Sequence, residues 1–299
     1  MNQRTLALIA TSIATLIYGV TFTIAKEVMP LYIKPYGFIL LRVGGAAMVF
    51  WLLGLFIKAK SIEKSDYKKI IIAAFFGVGL NMLTFFKGLS YTTPISASVI
   101  MVTSPILVLI FASILLKEKL ILRKIIGVVI GLIGAVILIV YGTSPNGDAQ
   151  NMMLGNLLVF INAASYALYL IFVKPLMAKY EALTVIKWVF TFGLLIVLPF
   201  GLTEFTEVDW FHLPTKAILA LSFVVICTTF MAYLFNVFAL KNLRASTVGF
   251  YIYLQPLLAT ALAIMSNSDQ LDLIKILASV LIFTGVFLVS GRKKSTASE

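Results

Sequence analysis

Apolar residues run along the chain in ten blocks of about 20, separated by short polar segments. The blocks fall at 6–25, 36–57, 70–89, 94–116, 124–141, 154–173, 182–201, 216–240, 245–266 and 273–290. A helix rises 1.5 Å per residue, so each block can cross a hydrocarbon layer about 30 Å thick. Strands are a poor reading, because an open sheet leaves its edge hydrogen bonds unmet in lipid. The pattern therefore predicts an all-α integral membrane protein with ten transmembrane helices. The connections are short, so consecutive helices are expected to run antiparallel. The first block is followed by Lys26-Glu27, not by a small-residue cleavage site, and reads as a retained first helix.

The polar segments alternate in charge. With the N-terminus inside, the cytoplasmic segments hold seventeen Lys and Arg, and the opposite face, helix ends included, holds five. The latter are Lys26, Lys34, Lys87, Lys216 and Lys275. Basic loops are retained on the cytoplasmic side during insertion, so both termini are expected in the cytoplasm.

Composition sharpens this picture. Of 299 residues, 61% are hydrophobic and only 12% charged, and a soluble core of this length could not absorb that much apolar surface. The net charge of +12 follows from the loop asymmetry and does not call for nucleic acid as a partner. One cysteine, Cys227, permits no internal disulfide, and the single histidine, His212, falls in a loop. No metal site and no cofactor are expected.

The chain also resembles itself. Shifted by 151 residues, Leu89 meets Leu240, Pro105 meets Pro256, Leu107 meets Leu258, Lys124 meets Lys275 and Gly134 meets Gly285, without a gap. Glu118 falls on Asp269 in the same register. At an offset of 148, Tyr18 meets Tyr166, Lys26 meets Lys174 and Tyr32 meets Tyr180. The expected halves are 5–141 and 152–291, five helices each. An odd number inserts the second half upside down, and inverted repeats suit alternating access.

These features resemble the EamA family of the drug/metabolite transporter superfamily over essentially the whole chain. The stretch ASVIMVTSPILVLIFASILLKEKL resembles the family's fourth helix, with Pro105 inside it and Glu118 at its end. Gly127, Gly131 and Gly134 fit the helix that follows. YLFNVFALKNLRASTVG, with Asn236 and Ala239, resembles the eighth and ninth helices, and Pro256 matches the second proline. Two departures concern the second half. Asp269 stands where the family usually has Glu, and Ala278 and Ile282 stand opposite Gly127 and Gly131. The resemblance implies a metabolite permease of the inner membrane, often an exporter of amino acids or related compounds, with a central cavity.

Polar side chains inside the blocks are the candidates for lining such a cavity, since they are costly in lipid. Several share helix faces by their spacing. They are Tyr18; Asn81; Thr103; Asn162 with Tyr166; Tyr233 with Asn236; and Tyr251 with Gln255. Each has a plainer alternative as a bridge between helices, a back-bond within its own helix, or part of the interfacial aromatic belt. Pro105 and Pro256 lie inside blocks and are expected to kink them, as hinges or as simple bends.

All twelve Asp and Glu lie outside the middles of the blocks, so no proton-carrying acid is evident at mid-membrane. The ionisable groups inside are basic. Arg42 and Lys87 are candidate contacts for a substrate anion; the alternative reading takes them, with Lys187, as snorkelling cations. The leading expectation is a secondary transporter of a small polar metabolite such as an amino acid, in contact with membrane lipids. A nucleoside or other metabolite facilitator is the alternative, and a receptor or scaffold without transport follows it. An enzyme is not expected: no block carries a histidine or an acid, and no phosphate-binding loop is present.

Overall fold

The computed structural model describes residues 2–56, 61–117, 120–142, 151–243, 251 and 253–290. Within α8, the side chains of Tyr233 and Asn236 lie outside the described set, as do Glu118 and the stretch 244–250. All described secondary structure is helical. The helices are α1 Gln3–Val28, α2 Pro35–Gly54, α3 67–91, α4 Pro94–Leu115, α5 Leu122–Tyr141, α6 Met152–Lys179, α7 Ala182–Thr206, α8 215–242, α9 Gln255–Met265 and α10 Leu273–Ser290. Among the described residues eight helices are long and apolar enough to cross a membrane, and Thr215–Met231 and Gln255–Met265 are shorter apolar helices.

Local sequence explains the ends and bends. Asn2 caps α1 by accepting from Arg4 N, and Asn151 caps α6 by accepting from Leu154 N at 3.2 Å. α6 continues six residues past its expected end at 173 and holds Pro175 within it; Pro199 lies inside α7 in the same way. α3 passes through a π-helical stretch at Phe75–Gly79, and α8 through one at Phe223–Met231. Such local widening redirects the side chains that follow.

The expected kink in α4 is a break between Pro94–Met101 and Ser104–Leu115. Pro105 has no N–H for the carbonyl of Met101, and the Ser104 hydroxyl donates to that oxygen instead, at 2.7 Å. Pro256 sits as Pro105 does, in the first turn of a helical segment, Gln255–Met265, after a turn at 253–254, where a helix needs no N–H.

The helices pack in defined pairs: α5 with α10, α2 with α7, α3 with α6, α1 with α8, α4 with α6, α1 with α9, and α4 with α9. Exchanging each helix for the one five places along maps these pairs onto one another, whereas α4 also packs on α10 and α5 on α6 without such a counterpart among the described residues. The α5–α10 pair approaches backbone to backbone. A Cβ on Gly127 would stand 2.7 Å from Gly285 O and 2.8 Å from Leu288 Cβ, so only glycine fits. Gly285 makes this contact from α10, and Ala278 and Ile282, which stand opposite Gly127 and Gly131 in the 151-residue register, are fully buried alongside.

Candidate functional site

Arg42 lies two turns into α2, in the interior of the bundle. Its Nε donates to Thr229 Oγ1 on α8 at 3.2 Å, and its guanidinium carbon sits 5.2 Å from the centroid of Phe86 on α3. Thr229 in turn donates to Val224 O at 3.2 Å, inside the π-helical stretch of α8. No carboxylate among the described residues pairs with Arg42. A guanidinium carries a planar fork of donors that suits a carboxylate or phosphate.

Tyr18 on α1 lies within electrostatic reach of both Arg42 and the Tyr166 phenol on α6. Tyr166 is 36% exposed despite its mid-helix position, and its ring centroid lies 6.1 Å from that of Tyr169. Positions 18 and 166, which an offset of 148 aligns in the sequence, are thus within electrostatic reach of each other.

One turn from Tyr166, Asn162 joins α6 to α3. Its Nδ2 donates to Asn81 O at 2.8 Å, and Asn81 Nδ2 donates to Asn162 O at 3.2 Å. Both side chains thus bridge helices. The side-chain Oδ1 of Asn162 is buried with no hydrogen-bond partner among the described residues. Ser165 adds a bond from its hydroxyl to Phe76 O at 2.6 Å, at the π-helical stretch of α3. That stretch frees carbonyls for side chains to use.

The other candidates are dispersed. Thr103 is fully buried and donates to Ile100 O of its own helix at 2.7 Å. Gln255 and Tyr251 are half-buried near the start of α9, where Gly19 of α1 passes close to Gln255 O. Lys87 stands near the end of α3 with its ammonium 4.7 Å from the Tyr91 ring and 5.5 Å from the Tyr36 ring. Lys187 lies 4.3 Å from the Trp51 ring, its stem along Gly54.

The sequence reading missed three carboxylates. Asp269 and Lys275 are paired at 2.6 Å with both side chains fully buried, so Lys275 is no headgroup-facing cation. Glu204 on α7 accepts from the amides of Tyr36 at 2.6 Å and Gly37 at 3.0 Å, capping α2, which has no side-chain cap of its own. Asp66, in a short turn ahead of α3, accepts from Lys69 at 2.8 Å, Lys179 at 2.7 Å and the Tyr180 hydroxyl at 2.8 Å. These bonds hold its carboxyl well below the usual range. The 151-residue register, which sets Glu118-Lys124 against Asp269-Lys275, was the available signal for the first of these.

Long apolar helices around a polar, cation-bearing interior define a multi-pass protein of the cell membrane, of the kind that carries solutes. The comparisons agree. The EamA-like transporter family matches residues 5–140 and 153–291, and the chain belongs to that family. A protein of Archaeoglobus fulgidus described as an uncharacterized transporter is 28% identical over 98% of this chain and 99% of its own length. Uncharacterized transporter YyaM of Bacillus subtilis is 25% identical, over 91% of this chain and 90% of its own. A solved crystal structure shares the fold at a TM-score of 0.61 and 18% identity, covering 96% of this chain and 98% of its own.

Proposed function

We propose that the protein moves a small metabolite bearing an anionic group, an amino acid before others, by alternating access, and that it works as an exporter. The observation that carries this reading is Arg42: an interior guanidinium oriented by Thr229, backed by Phe86 and free of any described carboxylate. Such a group attracts a carboxylate and holds it in a fixed plane. The unmet Asn162 carbonyl, one turn from Tyr166, offers an acceptor to an N–H of the same solute.

The accompanying architecture is ten membrane spans, both termini in the cytoplasm, and two inverted repeats of five helices. The helix pairing supports the repeat, because the main pairs, α5–α10, α2–α7, α3–α6 with α1–α8, and α4–α6 with α1–α9, exchange with one another when the two sets of five are swapped. The loop charges support the orientation.

The test is flux of labelled amino acids in proteoliposomes, with and without a proton gradient. Equilibration that ignores the gradient fits a facilitator without a mid-membrane acid. Accumulation driven by protons would overturn uncoupled transport. Flux of nucleosides and not of amino acids would move the substrate to the alternative class.

A further inference from the structure

Asp269 and Lys275 form a compact hub in the turn between α9 and α10. Lys275 Nζ donates to Asp269 Oδ1 at 2.6 Å and to Gln270 O at 2.7 Å, and lies 3.7 Å from Asp272 Oδ2. Asp269 Oδ1 also accepts from Gln270 N at 2.8 Å, and Asp272 Oδ1 accepts from Lys275 N at 2.7 Å. All of these bonds stay within residues 269–275. The other carboxylate oxygen, Asp269 Oδ2, leaves the hub and accepts from Ile95 N in the first turn of α4, at 3.2 Å. That amide belongs to the group a helix cannot satisfy internally. Thr93 provides only the neighbouring cap, to Ser96 N at 3.4 Å.

A buried ion pair is weak evidence for stability, since desolvation offsets the attraction. A purely stabilising role could be met by apolar residues. What the hub provides is a fixed, charged acceptor held ready by its own segment, reaching α4 through one long hydrogen bond. Moving α4 away from the turn breaks that bond and none of the hydrogen bonds within the hub. The ion pair stays intact, and the freed amide meets water.

We propose that Asp269 is the latch that holds the N-terminus of α4 closed against the α9–α10 turn, and that release of the Ile95 amide is the opening step at that end of the bundle. The inference rests on the alternating-access reading above. Lys275 is the positioning residue: it fixes the carboxylate so that Oδ2 points at the amide.

The test uses the full chain in proteoliposomes, with Cys227→Ser and a reporter Ser98→Cys. Ser98 is buried one turn beyond Ile95. The readout is the rate of alkylation by a small membrane-impermeant maleimide, added from each side in turn. A single Asp269→Asn leaves Lys275 buried and unpaired, so the informative variant is Asp269→Ala with Lys275→Met. Loss of one hydrogen bond to a charged acceptor predicts labelling faster by about tenfold. The acceleration is expected from one side only. A second reporter, Ser113→Cys near the other end of α4, should not accelerate, and Asp269→Glu should keep the slow rate. Unchanged labelling at position 98 in a folded double variant overturns the latch, as does equal acceleration at both reporters. Labelling reads the latch even where no flux is found, so failure of the transport reading and failure of the latch remain separate results.

Discussion

Asn81 and Asn162 each donate a side-chain amide to the main-chain carbonyl of the other, at 3.2 and 2.8 Å. The pair stitches α3 to α6 at the depth of Tyr166, and leaves the Asn162 side-chain oxygen unmet. One residue thus serves helix packing through its nitrogen, while its side-chain oxygen has no partner among the described residues.

Asn162→Ala removes one interhelical bond and leaves the Asn81 carbonyl to the Thr84 hydroxyl, at 3.2 Å. Polar bonds between membrane helices are modest, so the expected loss is about 1 kcal/mol. Reversible unfolding in mixed micelles measures it. Flux should fall by more than that loss of fold explains, and flux equal to the parent protein would remove the solute role from the oxygen.

Gly285→Val places methyl groups against Gly127 O and the Gly131 backbone, both 2.6 Å from a Cβ built at 285. Backbone cannot yield as a side-chain tip does. The α5–α10 pair must separate, at about 1–3 kcal/mol as for other overpacked contacts. A lower melting temperature in detergent is the expected outcome, with Gly285→Ala milder than Gly285→Val.

Arg42→Gln removes the charge and keeps a polar side chain. Flux of an anionic solute should drop about tenfold or more, since a charge-assisted pair is lost. Arg42→Lys keeps the charge but not the fork, and Thr229→Val frees the guanidinium from its Nε tether. Both are expected to raise KM more than they lower the maximal rate. An Arg42→Gln protein with undiminished flux would place the substrate elsewhere.

Asp66 predicts the shape of the acid limb of stability. Its carboxyl titrates lower in the folded protein than in the unfolded chain, because Lys179, Lys69 and Tyr180 hold the charged form. The unfolded chain therefore takes up the proton first, near pH 4, as the pH falls. Stability from this cluster is present above about pH 4 and declines below it. Melting curves between pH 3 and 7 should show that decline in the parent protein, and a flatter profile in Asp66→Asn.

Much of this architecture was legible in the chain. Long apolar blocks can only be helices in lipid, so 36–57 and 124–141 came out as Pro35–Gly54 and Leu122–Tyr141. Spacing also placed Asn162 and Tyr166 on one face of α6. Hydropathy did not reveal that α3 and α8 would widen into π-helical stretches, because backbone hydrogen-bond slippage leaves no mark on apolar content.

The sequence by itself determined a membrane-embedded helical protein of the EamA-like transporter family, because lipid leaves few ways to satisfy a backbone and the motifs survive in order. Only the tertiary structure decided which polar groups meet. Asp269 and Lys275 read as ordinary loop charges until folding buried them together, and Glu204 reaches α2 from a helix 168 positions away. Such pairings depend on where helices cross and at what angle. That is fixed by side-chain packing between distant segments, and no local pattern in the chain records it.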